Sequence, residues 1–248
     1  MPPASFRIAE DGRSPVEAGL PRAIGPFDQN ALEVALKLKD ARPETTVTVL
    51  TAGPAEANEA LRKALALNAD RAVRVDLERL PGPDSATVAA LLAAAIRRLE
   101  PAPDLVLVGR QSGDWDQGVV GPVLAEKLGA AIVGLGYAAE PADGGVIITR
   151  QVDDGIEKVR PKRAAVVTVT NHESNVLRLP KLKDVVAAHR KPIDVIPAAE
   201  LGVPLDEPLV EAVSLSIPQR EAHCEFLEGE PEEMAAALAE RIRRWLSA

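Results

Sequence analysis

DLVLVGRQSGDWDQGVVGPVLAEKLG, residues 104–129, decides the fold. After Asp104 an apolar run, LVLV, ends on glycine, which reads as a strand of a parallel sheet over 104–109. VVGPVLAEKLG then begins a helix that closes on Gly129, a glycine C-cap. GDWDQG between them therefore sits at the carboxyl edge of the sheet, where open α/β sheets bind their ligands. Gly109, Gly113, Gly118 and Gly121 let backbone approach a ligand closely, and the free N–H groups of Gly118, Val119 and Val120 face an anion with the helix dipole behind them. Phosphate is the natural occupant. Asp114 and Asp116 repel it unless a metal intervenes, so they are expected to cap the helix or to accept from ribose hydroxyls.

On either side, strands alternate with helices. Strands are expected at 46–51 and 72–75, with Ala57, Leu61, Ala64, Leu65 and Asn68 recurring at helical spacing between them. A helix over 85–99 takes Asp84 or Ser85 as its N-cap, and Asp28 is expected to cap the helix carrying Ala31, Leu32, Ala35 and Leu36. The alternation predicts an α/β chain, a mostly parallel sheet with flanking helices of Rossmann-like, adenine-nucleotide-binding topology. Past Gly129, strands at 131–137, 145–150 and 164–170 form a hairpin-rich section, and a short helix is read over 180–188. An extended, proline-marked tail from 196 to 229 leads to a final helix over 231–246. Met234, Leu238, Ile242 and Trp245 form its apolar stripe, which docks either on its own domain or on a partner subunit. The expected organisation is an α/β nucleotide-binding domain over 1–195 and an extended arm with a terminal helix over 196–248.

Composition narrows the function. Apolar residues make up 46% and charged residues 27%, an ordinary globular balance, while aromatics at 2% leave little for stacking single-stranded bases. The formal net charge of -8 supplies no basic field for nucleic acid. A single cysteine, Cys224, makes no internal disulfide. The opening MPPASFRIAEDG lacks a signal-peptide layout and the longest apolar run is too short to span a bilayer, so a cytoplasmic protein that is not membrane-inserted is expected. Phosphate-loop, zincin and nucleophile-elbow motifs are absent. GLGYAA at 134–139 matches a loosened dinucleotide fingerprint, but a turn follows where a helix is required. His223 and Cys224 lack the further ligands of a metal site, and no side-chain catalytic group is assembled.

GRQSGDWDQGVVGP resembles the segment G-[KR]-Q-A-x-D-x-D of the electron-transfer flavoprotein β subunit. IGPFDQNALEVALKLKD, TAGPAEANEALRKALALNADRAVRV, RQVDDGIEKVRPKRAAVVTVT and LRLPKLKDVVAAHRKPIDVI agree in the same order, and the tail IPQREAHCEFLEGEPEEMAAALAERI continues the likeness almost to the end. The resemblance implies an electron carrier rather than an enzyme, working as a heterodimer with an α subunit and sharing its FAD. Flavin dehydrogenases would be its donors, and a membrane quinone oxidoreductase or another protein its acceptor. It also implies a second nucleotide, AMP in the common type and a second FAD in electron-bifurcating types. Carried over, Ala52 and Gly53 lie in a first nucleotide loop, and Gly109, Asp114, Trp115, Asp116, Gln117, Gly118, Val119, Val120 and Gly121 in a second. Leu182 matches the leucine that anchors dehydrogenases.

Two departures stand out. AMP-type members place small polar side chains where this sequence has Gly118, Val119 and Val120, so only backbone donors remain and the second nucleotide is left open. Family members also begin with a strand and a K-x-V-P-D-like segment lining the flavin, and MPPASFRIAEDG resembles the stretch just after that segment. Either the start is truncated or the strand is replaced, because its loss leaves backbone groups of a parallel sheet unpaired. The competing readings are a stand-alone adenine-nucleotide-binding regulatory protein and, third, an enzyme acting on nucleotides through Asp114 and Asp116.

Overall fold

The computed structural model describes residues 6–16, 22–77, 84–205, 209–218 and 224–247. They fall into two compact units, residues 18–212 and residues 1–17 with 213–248.

The larger unit runs α1 (Pro26–Ala41), β1 (Thr48–Gly53), α2 (Asn58–Ala66), β2 (Arg71–Asp76), α3 (Ser85–Ile96), β3 (Leu105–Gly109), α4 (Val120–Leu128), β4 (Ala131–Ala142), β5 (Gly145–Val152), β6 (Gly155–Val159), β7 (Ala165–Val169), α5 (Leu182–Arg190) and β8 (Asp194–Pro197). Its strands form two sheets, β1-β2-β8 and β3-β7-β4-β5-β6. The first sheet and the β3-β7-β4 part of the second are parallel, whereas β4, β5 and β6 are antiparallel. β7, AVVTV, is buried at every position, as a strand covered on both faces must be.

Helix α1 packs along both sheets. Its Leu32 and Leu36 meet Val47 and Val49, while Ala31 and Val34 meet Val133, Val167, Leu105 and Leu107. Helix α3 does the same with other side chains, Leu91 and Ala95 against Leu50 and Val75, and Ala89, Ala93 and Ile96 in the cluster of Val106, Val108 and Val166. Its many alanines let an apolar helix lie close to the strands.

Most elements fall where the hydrophobic period put them, with informative exceptions. Asp84 caps α3, its Oδ1 accepting from the Thr87 N–H at 2.7 Å. Asp28 does not cap α1: Pro26 opens the helix behind Gly25, which leaves Asp28 in the first turn and free for another bond. β6, GIEKV, was not expected, because its exposed residues carry no alternating apolar signal; charged residues on an outer strand discourage further pairing. GLGYAA lies within β4, across a register shift between Val133 and Gly136, with Leu135 at φ 57°. A Cβ on Gly136 would stand 2.5 Å from Val167 Cγ1, so this glycine serves strand packing. β8 pairs with β2, so the sheet continues past the expected boundary at residue 195.

In the smaller unit, residues 8–15 make a tight turn closed by an Ile8–Pro15 bridge. The carboxylate of Asp11 accepts from the N–H of Arg13 and from Ser14, and the Leu215 N–H donates to the Gly12 carbonyl at 2.8 Å. Helix α6, Pro231–Leu246, carries acidic residues in its first turn and Arg243 and Arg244 in its last, as the dipole favours. None of its residues is buried, and Leu238, Ile242 and Trp245 of its apolar stripe are exposed. His223 lies outside the described residues.

Candidate functional site

The carboxyl ends of β1 and β3 carry the two loops singled out in the sequence. At the end of β3 the Gly109 N–H donates to Asp28 Oδ1 at 2.8 Å, which is where the carboxylate absent from the α1 cap is used. Burial raises the pKa of Asp28 above the ordinary carboxylate value, the Gly109 N–H opposes this, and repulsion from Asp114 adds to it. A Cβ on Gly109 would stand 2.8 Å from that carboxylate and 2.9 Å from Phe27 Cβ, so glycine is needed for helix α1 to reach the strand end. At Gly113 it would meet Pro26 at 3.0 Å, and at Gly121 it would meet Thr168 Cγ2 at 2.5 Å. Protein atoms therefore occupy the space beside three of the four glycines expected to face a ligand. Gly118, at φ 65°, turns the chain into α4.

The turn is cross-braced. Gln111 Nε2 donates to Asp116 Oδ1, and Asp116 is held at φ 54°, a left-handed conformation that costs a non-glycine residue energy. Asp114 Oδ1 accepts from the Trp115 N–H at 2.7 Å. Ser85 Oγ donates to Gln117 Oε1 at 2.6 Å, tying the turn to the start of α3. The expected capping by Asp114 or Asp116 is not formed, because Val119 precedes α4 without a side-chain cap. The first N–H groups of α4 have no intrahelical acceptors, and Pro122 carries no N–H to satisfy. Trp115 and Val119 are exposed.

Arg110 was not singled out in the sequence. Its guanidinium lies over the Phe27 ring, 4.6 Å from the centroid, and its buried Nε has no partner among the described residues. The segment that leads into α4 thus carries a planar cation with a partnerless Nε, and α4 opens on N–H groups without intrahelical acceptors; each of these is chemistry suited to a phosphate. The first loop is held from below. Arg74, buried, donates from Nη1 to the Gly53 carbonyl and to Asp76 Oδ1, both at 3.0 Å.

A second concavity, about 350 Å³, opens between the β5–β6 hairpin and a stacked pair, Tyr137 and His172, with ring centroids 4.2 Å apart. Asn175, buried, anchors that loop by donating to the Tyr137 carbonyl at 2.6 Å and accepting from Lys37 at 3.0 Å. Two aromatic rings separated by 35 residues give no local signal, so nothing in the sequence pairs them.

Leu182 opens α5 and points outward, 81% exposed, in a stretch where Val176, Leu179 and Val186 are exposed as well. The stretch is fastened at its base. Arg178 makes a forked pair with Glu33 of α1, with 2.8 Å from Nη2 to Oε1, and reaches Asp40 at 2.8 Å. Hydrogen bonds and charge from Glu33 and Asp40 raise the Arg178 pKa further.

Fold and site define an α/β protein with a glycine-rich turn at the carboxyl edge of a parallel sheet. A model of the electron transfer flavoprotein domain matches residues 15–201. The electron transfer flavoprotein subunit beta of Thermoanaerobacterium thermosaccharolyticum is 32% identical over 242 residues, 95% of this chain and 92% of that one. Its counterpart in Bradyrhizobium diazoefficiens is 34% identical over 79% of this chain and 77% of its own. The caffeyl-CoA reductase-Etf complex subunit CarD of Acetobacterium woodii is 34% identical over 76% of this chain and 71% of its own. The chain belongs to the electron transfer flavoprotein family and groups with its β subunits, each one half of a heterodimeric flavoprotein that transports electrons.

Proposed function

We propose that this chain, paired with an α subunit, helps hold an FAD and passes electrons from flavin dehydrogenases to a membrane quinone oxidoreductase or another acceptor in the cytoplasm. Bound flavin supplies the redox chemistry. The chain contributes position: Ala52 and Gly53 form one nucleotide loop, and Gly109 with residues 114–121 forms the other. The observation that carries the reading is the second loop, which holds Arg110, with its partnerless Nε, and leads into the uncapped start of α4. These groups fit a nucleotide phosphate. With backbone alone at Gly118, Val119 and Val120, they favour neither AMP nor a second FAD.

Leu182 and its exposed apolar neighbours are the surface for the donor dehydrogenase, and the unburied stripe of α6 belongs to the arm that contacts the α subunit. Two such surfaces on one chain speak against a stand-alone nucleotide sensor. No helix among the described residues is long and apolar enough to cross a membrane. The test is to purify the chain coexpressed with its α subunit, release the nucleotides and identify them. One FAD with one AMP, or two FAD, supports the proposal, and a stable complex without flavin sinks it.

A further inference from the structure

Beside its apolar stripes, helix α1 carries a polar one. Asn30, Glu33, Lys37 and Asp40 follow one another at steps of three and four, the spacing of a single helical face. Each of them holds the segment that leads from β7 to α5. Asn30 Oδ1 accepts from the His172 N–H at 3.1 Å. Lys37 donates to the Ser174 carbonyl and, at 3.0 Å, to Asn175 Oδ1. Glu33 Oε2 accepts from the Arg178 N–H at 3.1 Å in addition to its forked pair with the guanidinium, whose Nη2 also reaches Asp40.

These bonds matter because the segment has little structure of its own. Between Val169 and Leu182 its regular structure is one 3-10 turn, Glu173–Asn175, and it joins neither sheet. Leu177 turns inward to the cluster of Leu32 and Leu36, whereas Val176, Leu179 and Leu182 are exposed. Arg178 separates the inward leucine from the outward one. Glu33, itself buried, takes both the backbone N–H and the guanidinium of that residue. Buried ion pairs are weak sources of stability beside apolar packing, and their best-attested use is to fix one arrangement among several.

The same helix begins at the second nucleotide loop, where Phe27 lies under Arg110 and Asp28 holds Gly109. Helix α1 therefore carries that loop on its first turn and the exposed stretch on its polar face, so one rigid element sets the separation of the two. We propose that Glu33 is a positioning residue for donor docking. It acts through Arg178, holding Leu179, Leu182 and their neighbours in the arrangement that a dehydrogenase binds. The inference rests on the docking surface of the proposed function.

Steady-state reduction of the heterodimer by a flavin dehydrogenase that reduces the wild type tests it, with the heterodimer as the varied substrate and each variant kept well below its unfolding midpoint. Without Glu33 the docking arrangement becomes one of several, and apparent affinity falls with its population. Glu33→Ala should raise KM about tenfold and leave kcat within about twofold. Glu33→Gln, which keeps an acceptor for the Arg178 N–H, should raise KM less. Adding Glu33→Ala to Leu182→Ala should raise KM by less than the product of the single effects, because both act on one stretch. Nucleotide content and reduction by dithionite should match the wild type. If Glu33→Ala does not fold, Lys37→Met frees the same segment from a less buried position and should raise KM severalfold. Unchanged KM in the folded variant overturns the positioning role, and so does a joint fall of kcat and flavin content, the mark of general unfolding. A rise in KM for Leu182→Ala without one for Glu33→Ala overturns the positioning role and leaves the docking surface standing. If neither variant changes KM, both fall.

Discussion

Asp28 shows how one residue can serve two elements. Its carboxylate ties the start of α1 to the end of β3 through the Gly109 N–H. Asp28→Ala removes the acceptor and leaves that N–H without its partner, so chemical denaturation should show a loss of about 1–3 kcal/mol. Asp28→Asn keeps an oxygen for Gly109 and removes the charge. The folded-state pKa of Asp28 is raised, so its contribution to stability is fully present below the unfolded value of 3.8 and is lost as pH rises through the folded value. Asn does not ionise, and denaturation curves should therefore show Asp28→Asn gaining on the wild type as pH rises above 3.8. A constant difference across that range would place the burial penalty elsewhere. Arg110 is a separate case, held over Phe27 with a partnerless Nε. Arg110→Gln should weaken binding of the second nucleotide by roughly 10- to 100-fold in calorimetry, the worth of one charge-assisted bond. The family's FAD should remain bound.

At the scale of elements, Arg178 joins the stretch before α5 to α1. Removing it leaves Glu33, itself buried, without its cation. Because Arg178 is about one-third exposed, Arg178→Ala should cost about 2–3 kcal/mol, less than a fully buried pair, in thermal or denaturant unfolding. Leu182, a residue whose side chain is mostly in solvent, should behave oppositely. Leu182→Ala should leave stability within about 0.5 kcal/mol and slow reduction by the donor dehydrogenase; unchanged stopped-flow kinetics would remove it from docking. Most elements could be read in the sequence because apolar runs such as LVLVG and AVVTV stand out from their surroundings. The start of α4 and the turn before it were legible for the same reason. What the sequence withheld were pairings across distance. Asp28 with Gly109 and Arg110 with Phe27 join residues about eighty apart, and Asp28 looked like a helix cap until Pro26 took the first position. The glycines were legible as a group, but not the close packing at Gly109, Gly113 and Gly121, where a Cβ would stand 3.0 Å or less from Asp28, Pro26 or Thr168.

For the whole molecule, the question is which exposed apolar surface belongs to assembly. Helix α6 has well-placed end charges and an ion pair from Arg241 to Glu225, yet it buries none of its residues. An apolar stripe on such a helix gains its stabilisation when something covers it. Replacing Leu238 and Ile242 together by Glu removes the stripe without touching a buried position. The double variant should keep the helical circular dichroism and unfolding midpoint of the isolated chain. Its association with the α subunit should weaken by a factor of about 100 or more, since two central apolar residues of an interface are worth about 1–3 kcal/mol each. Analytical ultracentrifugation of the coexpressed pair reads this directly, and flavin content should fall with the complex. Loss of the isolated chain's fold would instead show that the stripe packs on its own unit, and equal association by both forms would assign the α-subunit contact to another surface.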